Sequence, residues 1–166
     1  NWTLGEFKEI GKSVFGQDYG FSNDPTTLLE TSIDKNKRII YIKLHFCQAS
    51  LTTTEINVLN QKFAGQNLII GDSSEPRLIN ELARNCNMLP AIKGPGSVNF
   101  GISLLQDYDL IIDPNSIELI KELNNYSWLE KKSQTPIDKF NHCIDAVRYA
   151  VSYQLENPTR GDYFIY

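Results

Sequence analysis

The sequence predicts an α/β domain in which one mixed β-sheet carries helices on both faces. Two observations predict it. Three strand-like runs joined by short polar turns occupy residues 14–46, the pattern of an antiparallel meander. From residue 52 onward, apolar strand-like runs alternate with helical ones, and such alternation lays parallel strands beside the meander and helices over the sheet. A chain of 166 residues suits one domain of this kind, with residues 1–13 as a lead-in and 14–166 as the folded unit.

Each element has its own local reason. In residues 14–21, Val14, Gly16, Asp18 and Gly20 face one way and Phe15, Gln17, Tyr19 and Phe21 the other, the two-residue period of a strand. "SNDP" closes it with a turn. "TTLLETSI" (26–33) and "RIIYIKLHF" (38–46) are rich in β-branched and aromatic residues, with a polar turn at Asp34–Lys37. Thr52, with Glu55 three positions on, forms a capping box that opens a helix to about Ala64. "NLIIGD" (67–72) is continuously apolar, as a strand buried on both faces requires. "SSEPRLINELARN" reads as a short helix with Pro76 in its first turn, and "MLPAIK" as a short strand. "GPGSVNFGISLLQ" turns into a helix; "DLIID" is a strand and "NSIELIKEL" a helix. "NNYSWLE" is expected as an edge hairpin strand, and residues 138–155 as the last helix, ended before Pro158.

Composition narrows the function classes. A net charge of −4 argues against a free-standing nucleic-acid binder held by bulk charge, although a cluster of carboxylates for a metal ion would itself make a domain acidic. No apolar run is long enough to span a bilayer, and residues 1–30 lack the layout of a signal peptide. Cys47, Cys86 and Cys143 form no CxxC pair and read as reduced thiols of a cytosolic protein; with His45 and His142 their spacing is wrong for zinc. "GEFKEIGKS" has five residues between its glycines where a P-loop has four, and "RGD" (160–162) is a three-residue coincidence.

Four features can carry chemistry. Asp18 sits in a strand between two glycines; either the bare face around it admits a metal and a bulky substrate, or the glycines mark a bend and the aspartate is solvated. Asp72 ends an apolar strand, where ligand-handling residues gather, or else caps the next helix. Asp138, His142, Asp145 and Tyr149 share one stripe of the last helix, beside the apolar stripe of Phe140, Ile144, Val147 and Val151; the polar stripe is a solvated flank or the edge of a site. Lys93 and the turn Gly94, Gly96 and Ser97 precede a helix start and suit a phosphate, or form an ordinary turn. If the strands of residues 14–21 and 67–72 are neighbours, Asp18 and Asp72 meet and a helix across the sheet can deliver Asp145. Three ionised carboxylates converge only around a cation, and oxygen-only ligands favour Mg²⁺ or Mn²⁺.

"DYGFSNDP", "GDSSEPRLINEL", "IKGPGSVNFGISLLQ", "NNYSW" and "NHCIDAVRYAV", in that order, resemble the C-terminal nuclease domain of the phage terminase large subunit, the DNA-packaging motor of tailed bacteriophages. The resemblance runs from about residue 4 to residue 151. It implies an RNase H-like fold and a metal-dependent endonuclease that cuts concatemeric viral double-stranded DNA. Asp18, Asp72 and Asp145 would be the metal ligands, two Mg²⁺ or Mn²⁺ ions the cofactors, and His142 an aid to catalysis. Asp18 would bridge the two ions, and Lys93, Gly94, Gly96 and Ser97 would hold a DNA phosphate. The glycines beside Asp18 would clear the face for metal and phosphate. Asp24 and Glu75 are acidic neighbours without an assigned role. The resemblance further implies an ATPase domain ahead of this one, whose motifs this chain lacks, partnership with the small terminase subunit and the portal, and a location in the cytoplasm of the infected or lysogenic host. Two alternatives remain at this point: a catalytically silent RNase H-like interaction module, and another RNase H-like nuclease such as a Holliday-junction resolvase or a transposase.

Overall fold

The computed structural model describes residues 1–133 and 141–156, with side chains for 1–126 and 141–156. Seven strands are ordered β1-β7-β4-β3-β2-β5-β6 in one sheet. They are β1 (Trp2–Leu4), β2 (Val14–Gln17), β3 (Thr26–Asp34), β4 (Ile39–Gln48), β5 (Ile69–Gly71), β6 (Met88–Pro90) and β7 (Asp109–Ile112). The described helices are α1 (Thr53–Ala64), α2 (Pro76–Leu82), α3 (Ser97–Gln106), α4 (Ile117–Ser133) and α5 (His142–Glu156).

The meander is present: β2 pairs antiparallel with β3, and β3 with β4. All remaining pairs are parallel. Strand β5 lies beside β2 with Gln17 opposite Gly71, so the strands that end at Asp18 and Asp72 are neighbours. Helices α1 and α2 cover one face through Ile56, Ala64, Ile79 and Leu82, packed with Phe15, Leu28, Phe46 and Ile69. Helices α3, α4 and α5 cover the other through Leu105, Leu119, Ala146, Val147 and Val151, packed with Leu29, Ile40, Ile42 and Ile112. Alternation along β2 decides which side chain meets which layer. Phe15 goes to the α1 side, and Gln17 exchanges two hydrogen bonds with Asn60 of α1, at 2.7 and 2.9 Å. Gly16 goes to the α5 side.

Helix α1 starts as read: Thr52 accepts from the Glu55 amide and Glu55 accepts from the Thr52 amide. Three elements differ from expectation. Residues 2–4 of the lead-in form an edge strand, β1, paired to β7. "NNYSWLE" is not a hairpin strand but the continuation of α4, because Leu119, Leu123 and Tyr126 recur at helical spacing and all pack on the core. The first meander strand stops at Gln17, so Asp18 follows the strand and does not lie within it. Asp138 and Phe140 of the expected last helix lie outside the described residues.

Candidate active site

Asp18 leaves β2 and Asp72 leaves β5 side by side. The Asp72 amide donates to the Gln17 carbonyl at 3.0 Å, carrying the parallel register one residue past both strands. Asp18 is anchored by its carbonyl, which accepts from the Thr27 amide at 2.9 Å. The third aspartate arrives from across the sheet. An added Cβ at Gly16 would lie 1.8 Å from the Ala146 carbonyl oxygen, so only glycine lets α5 rest on β2 at this depth. Asp145 is the residue before Ala146. The glycines around Asp18 therefore do not clear an open face as expected. Gly16 seats the helix, and Gly20 admits the backbone of its own turn, where an added Cβ would lie 2.0 Å from the Asp24 carbonyl oxygen.

The solvated-flank reading of the α5 stripe fails for the same reason. Tyr149 is 6% exposed, and α5 is buried from Cys143 to Val151 apart from Asp145, itself only partly exposed. Burial raises the Tyr149 hydroxyl pKa, and the charges of Asp18, Asp72 and Asp145 raise it further.

Each aspartate is matched to a cation. His142 Nδ1 lies 2.9 Å from Asp18 Oδ2, and its Nε2 lies 3.5 Å from Asp24 Oδ1. The bond to Asp18 overrides the burial of the ring and holds the imidazole pKa up at about 9, so His142 is the charged donor at neutral pH. Burial pushes the Asp18 carboxyl up to about 6; the His142 bond opposes that rise, while Asp145 and Asp72 add to it. Arg148 donates to Asp145 Oδ1 at 3.1 Å. Burial nevertheless raises the Asp145 pKa, with Asp72 contributing and Arg148 opposing. Lys93 forms an ion pair with Asp72 Oδ1, which also accepts the Ser74 amide at 3.0 Å. Burial pushes Asp72 up, but these two bonds outweigh it and its pKa is lowered.

The "KGPGS" turn is thus placed at the site through Lys93. Gly96 has a left-handed backbone (φ 78°) at the N-cap of α3, and no side chain caps that helix. Sequence reasoning left Asp24 without a role and passed over Arg148 altogether. Arg148 is three residues after Asp145 on the same helix, a spacing that could have flagged it.

Among the described residues, no group of three or more His, Cys, Asp or Glu is gathered as it stands to hold a metal ion. The carboxylates face Lys93, Arg148 and His142 instead. The donor set itself is three aspartates close enough that Asp72 raises the pKa of both Asp18 and Asp145, the oxygen chemistry that suits Mg²⁺ or Mn²⁺.

A family model described as a terminase RNase H-like domain matches residues 18–153. The chain belongs to the terminase RNase H-like domain family. This terminase domain is 37% identical over 146 residues to the terminase large subunit of Bacillus phage SPP1, covering 81% of this chain and 34% of that one. It is 27% identical over 151 residues to the PBSX phage terminase large subunit of Bacillus subtilis (strain 168), covering 86% and 35%. The terminase domain thus spans about a third of the length of both curated relatives. Among solved structures, the nuclease domain of the SPP1 large terminase, determined with bound Mn, superposes with a TM-score of 0.77 at 28% identity, covering 94% of this chain and 96% of that one. The P22 large terminase nuclease domain superposes with a TM-score of 0.70 at 16% identity, covering 94% and 87%, a likeness of fold. The expected RNase H-like fold is therefore the fold of this terminase domain.

Proposed function

We propose that this domain is a Mg²⁺- or Mn²⁺-dependent endonuclease that cuts double-stranded viral DNA during genome packaging. The observation that carries the reading is the convergence of Asp18, Asp72 and Asp145 from two adjacent strand ends and the helix seated on Gly16. Membership of the terminase family and the Mn bound in the SPP1 nuclease domain support it.

The three aspartates would hold the metal, with Asp18 central. When bound, a divalent pair supplies an activated water and stabilises the leaving oxygen of a phosphodiester. The chain's own residues do the rest. Asp18 carries a pKa of about 6 without metal, so it is ionised and ready to ligate at neutral pH. His142, bonded to Asp18, orients that carboxylate and carries a proton that can pass to the departing 3′-oxygen. Lys93 sits beside Asp72 with its side chain 39% exposed, within reach of a DNA phosphate arriving over the Gly94, Gly96 and Ser97 turn.

The small terminase subunit and the portal would select the site of cutting, and the reaction would take place in the cytoplasm of the bacterial host. One observation favours a catalytically silent packaging module instead: each aspartate already has an internal cation. Nicking of supercoiled plasmid separates the two readings. The nuclease nicks with Mn²⁺, stops with EDTA and fails as Asp18→Asn with its fold retained. A silent module never nicks.

A further inference from the structure

The first turn of α5 is held by a residue from another helix. Glu122 of α4 accepts from the Cys143 amide with Oε2 and from the Ile144 amide with Oε1, both at 2.9 Å. These amides belong to the unpaired donors that every helix start exposes, and a local Ser, Thr, Asp or Asn is the usual remedy. A carboxylate reaching across from α4 does something a local cap cannot: it ties the helix start to a separate element. Its two oxygens address two successive amides, which determines both the rotation and the height of the first turn. His142 and Asp145 are the residues immediately on either side of that pair. One residue further on, Ala146 rests on Gly16. Asp145 is thus held between two pins, Glu122 from α4 and Gly16 from β2.

The arrangement is costly, because burial pushes the Glu122 carboxyl up to about 7 even against the two amides that favour its charge. Among the described side chains of α4, Leu119, Ile120, Leu123 and Tyr126 supply the apolar contact with the core.

We propose that Glu122 is a positioning residue for the active site, setting the start of α5 so that His142 meets Asp18 and Asp145 meets the metal. The inference rests on the nuclease reading for its consequence and on the two hydrogen bonds for its geometry.

Glu122→Ala and Glu122→Gln are compared with the parent at a temperature where circular dichroism shows each folded. Two quantities are read: the Mn²⁺ dissociation constant by electron paramagnetic resonance, and hydrogen exchange at the amides of Cys143, Ile144 and Asp145. Loss of a positioning partner of a metal ligand weakens metal binding by about 10- to 100-fold. Glu122→Ala should fall near the upper end, with exchange accelerated at residues 143–145 and unchanged in α1 and β4. Glu122→Gln keeps one acceptor oxygen, so it should fall near the lower end and keep one amide protected. If the alanine variant does not fold, the glutamine variant alone decides. Parent-like exchange and Mn²⁺ affinity in a folded variant overturn the proposal. Equal loss of Mn²⁺ affinity in both variants with both amides still protected also overturns it, since charge and not position would then be acting. A parent that binds no Mn²⁺ sinks the nuclease reading instead. The exchange pattern still judges Glu122 in that case: local acceleration at 143–145, with a shifted His142 ring resonance, supports it, and parent-like exchange refutes it.

Discussion

Gly16 lies directly beneath Ala146, so close that a Cβ on the strand would sit 1.8 Å from the helix carbonyl oxygen. Neither partner can yield cheaply, because one is strand backbone between β3 and β5 and the other is the backbone of a buried helix. Gly16→Ala should lift α5 from the sheet. Overpacking of a tight core costs about 1–3 kcal/mol, and here the same shift carries Asp145 away from Asp18 and Asp72. Urea unfolding should show the stability loss, and Mn²⁺ binding by the folded fraction should weaken. A variant with parent stability would mean that α5 is not seated on this glycine.

The pair Asp18–His142 makes metal-free stability depend on pH. Both groups hold protons more tightly folded than unfolded: His142 rises from 6.5 to about 9, and Asp18 from 3.8 to about 6. A raised folded pKa contributes stability that is full below the unfolded value and is lost as pH climbs through the folded one. In EDTA, melting temperature should therefore decline between about pH 6.5 and 9 for His142, and between about 3.8 and 6 for Asp18. In His142→Asn the upper decline should flatten. A parent curve that rises across the upper window would show that the imidazole is not held charged by Asp18.

Lys93 and a divalent ion compete for Asp72. Removing a cation from beside a carboxylate strengthens the attraction of that carboxylate for any other cation. Lys93→Ala should bind Mn²⁺ several-fold more tightly by calorimetry. Its DNA affinity should fall for all sequences alike, and the slope of log affinity against log salt should lessen by about one. Unchanged Mn²⁺ affinity together with an unchanged salt slope would leave Lys93 as an ordinary structural partner of Asp72.

Gln17 and Asn60 are both fully buried and satisfy each other through two hydrogen bonds. Asn60→Leu strands the Gln17 amide, and an unsatisfied buried polar group costs about 1–3 kcal/mol. The double variant Gln17→Leu, Asn60→Leu should recover part of that loss. Denaturant midpoints of the single and double variants test it; a double variant as unstable as the sum of its singles would argue against pairing.

Much of this domain is legible in the sequence because the signals are local. The Thr52–Glu55 box starts α1 from four neighbouring residues, and the continuous apolar run before Asp72 marks a strand covered on both faces. Asp18, Asp72 and Asp145 stand out because each lies in or beside an element that its own apolar pattern makes legible. The remaining features depend on partners far apart in the chain. Gly16 looks like a gap beside a carboxylate until Ala146, 130 positions later, fills it. "NNYSWLE" taken alone reads as an edge strand, and the core contacts of Leu119, Leu123 and Tyr126 carry it into α4 instead. Arg148, Asp24 and Glu122 are unremarkable charges in sequence; Asp145, His142 and the first turn of α5 give them partners. Periodicity and capping act within a few residues and can be read from them. Close approach of backbones and pairing of buried charge exist only once the sheet has brought its strand ends together.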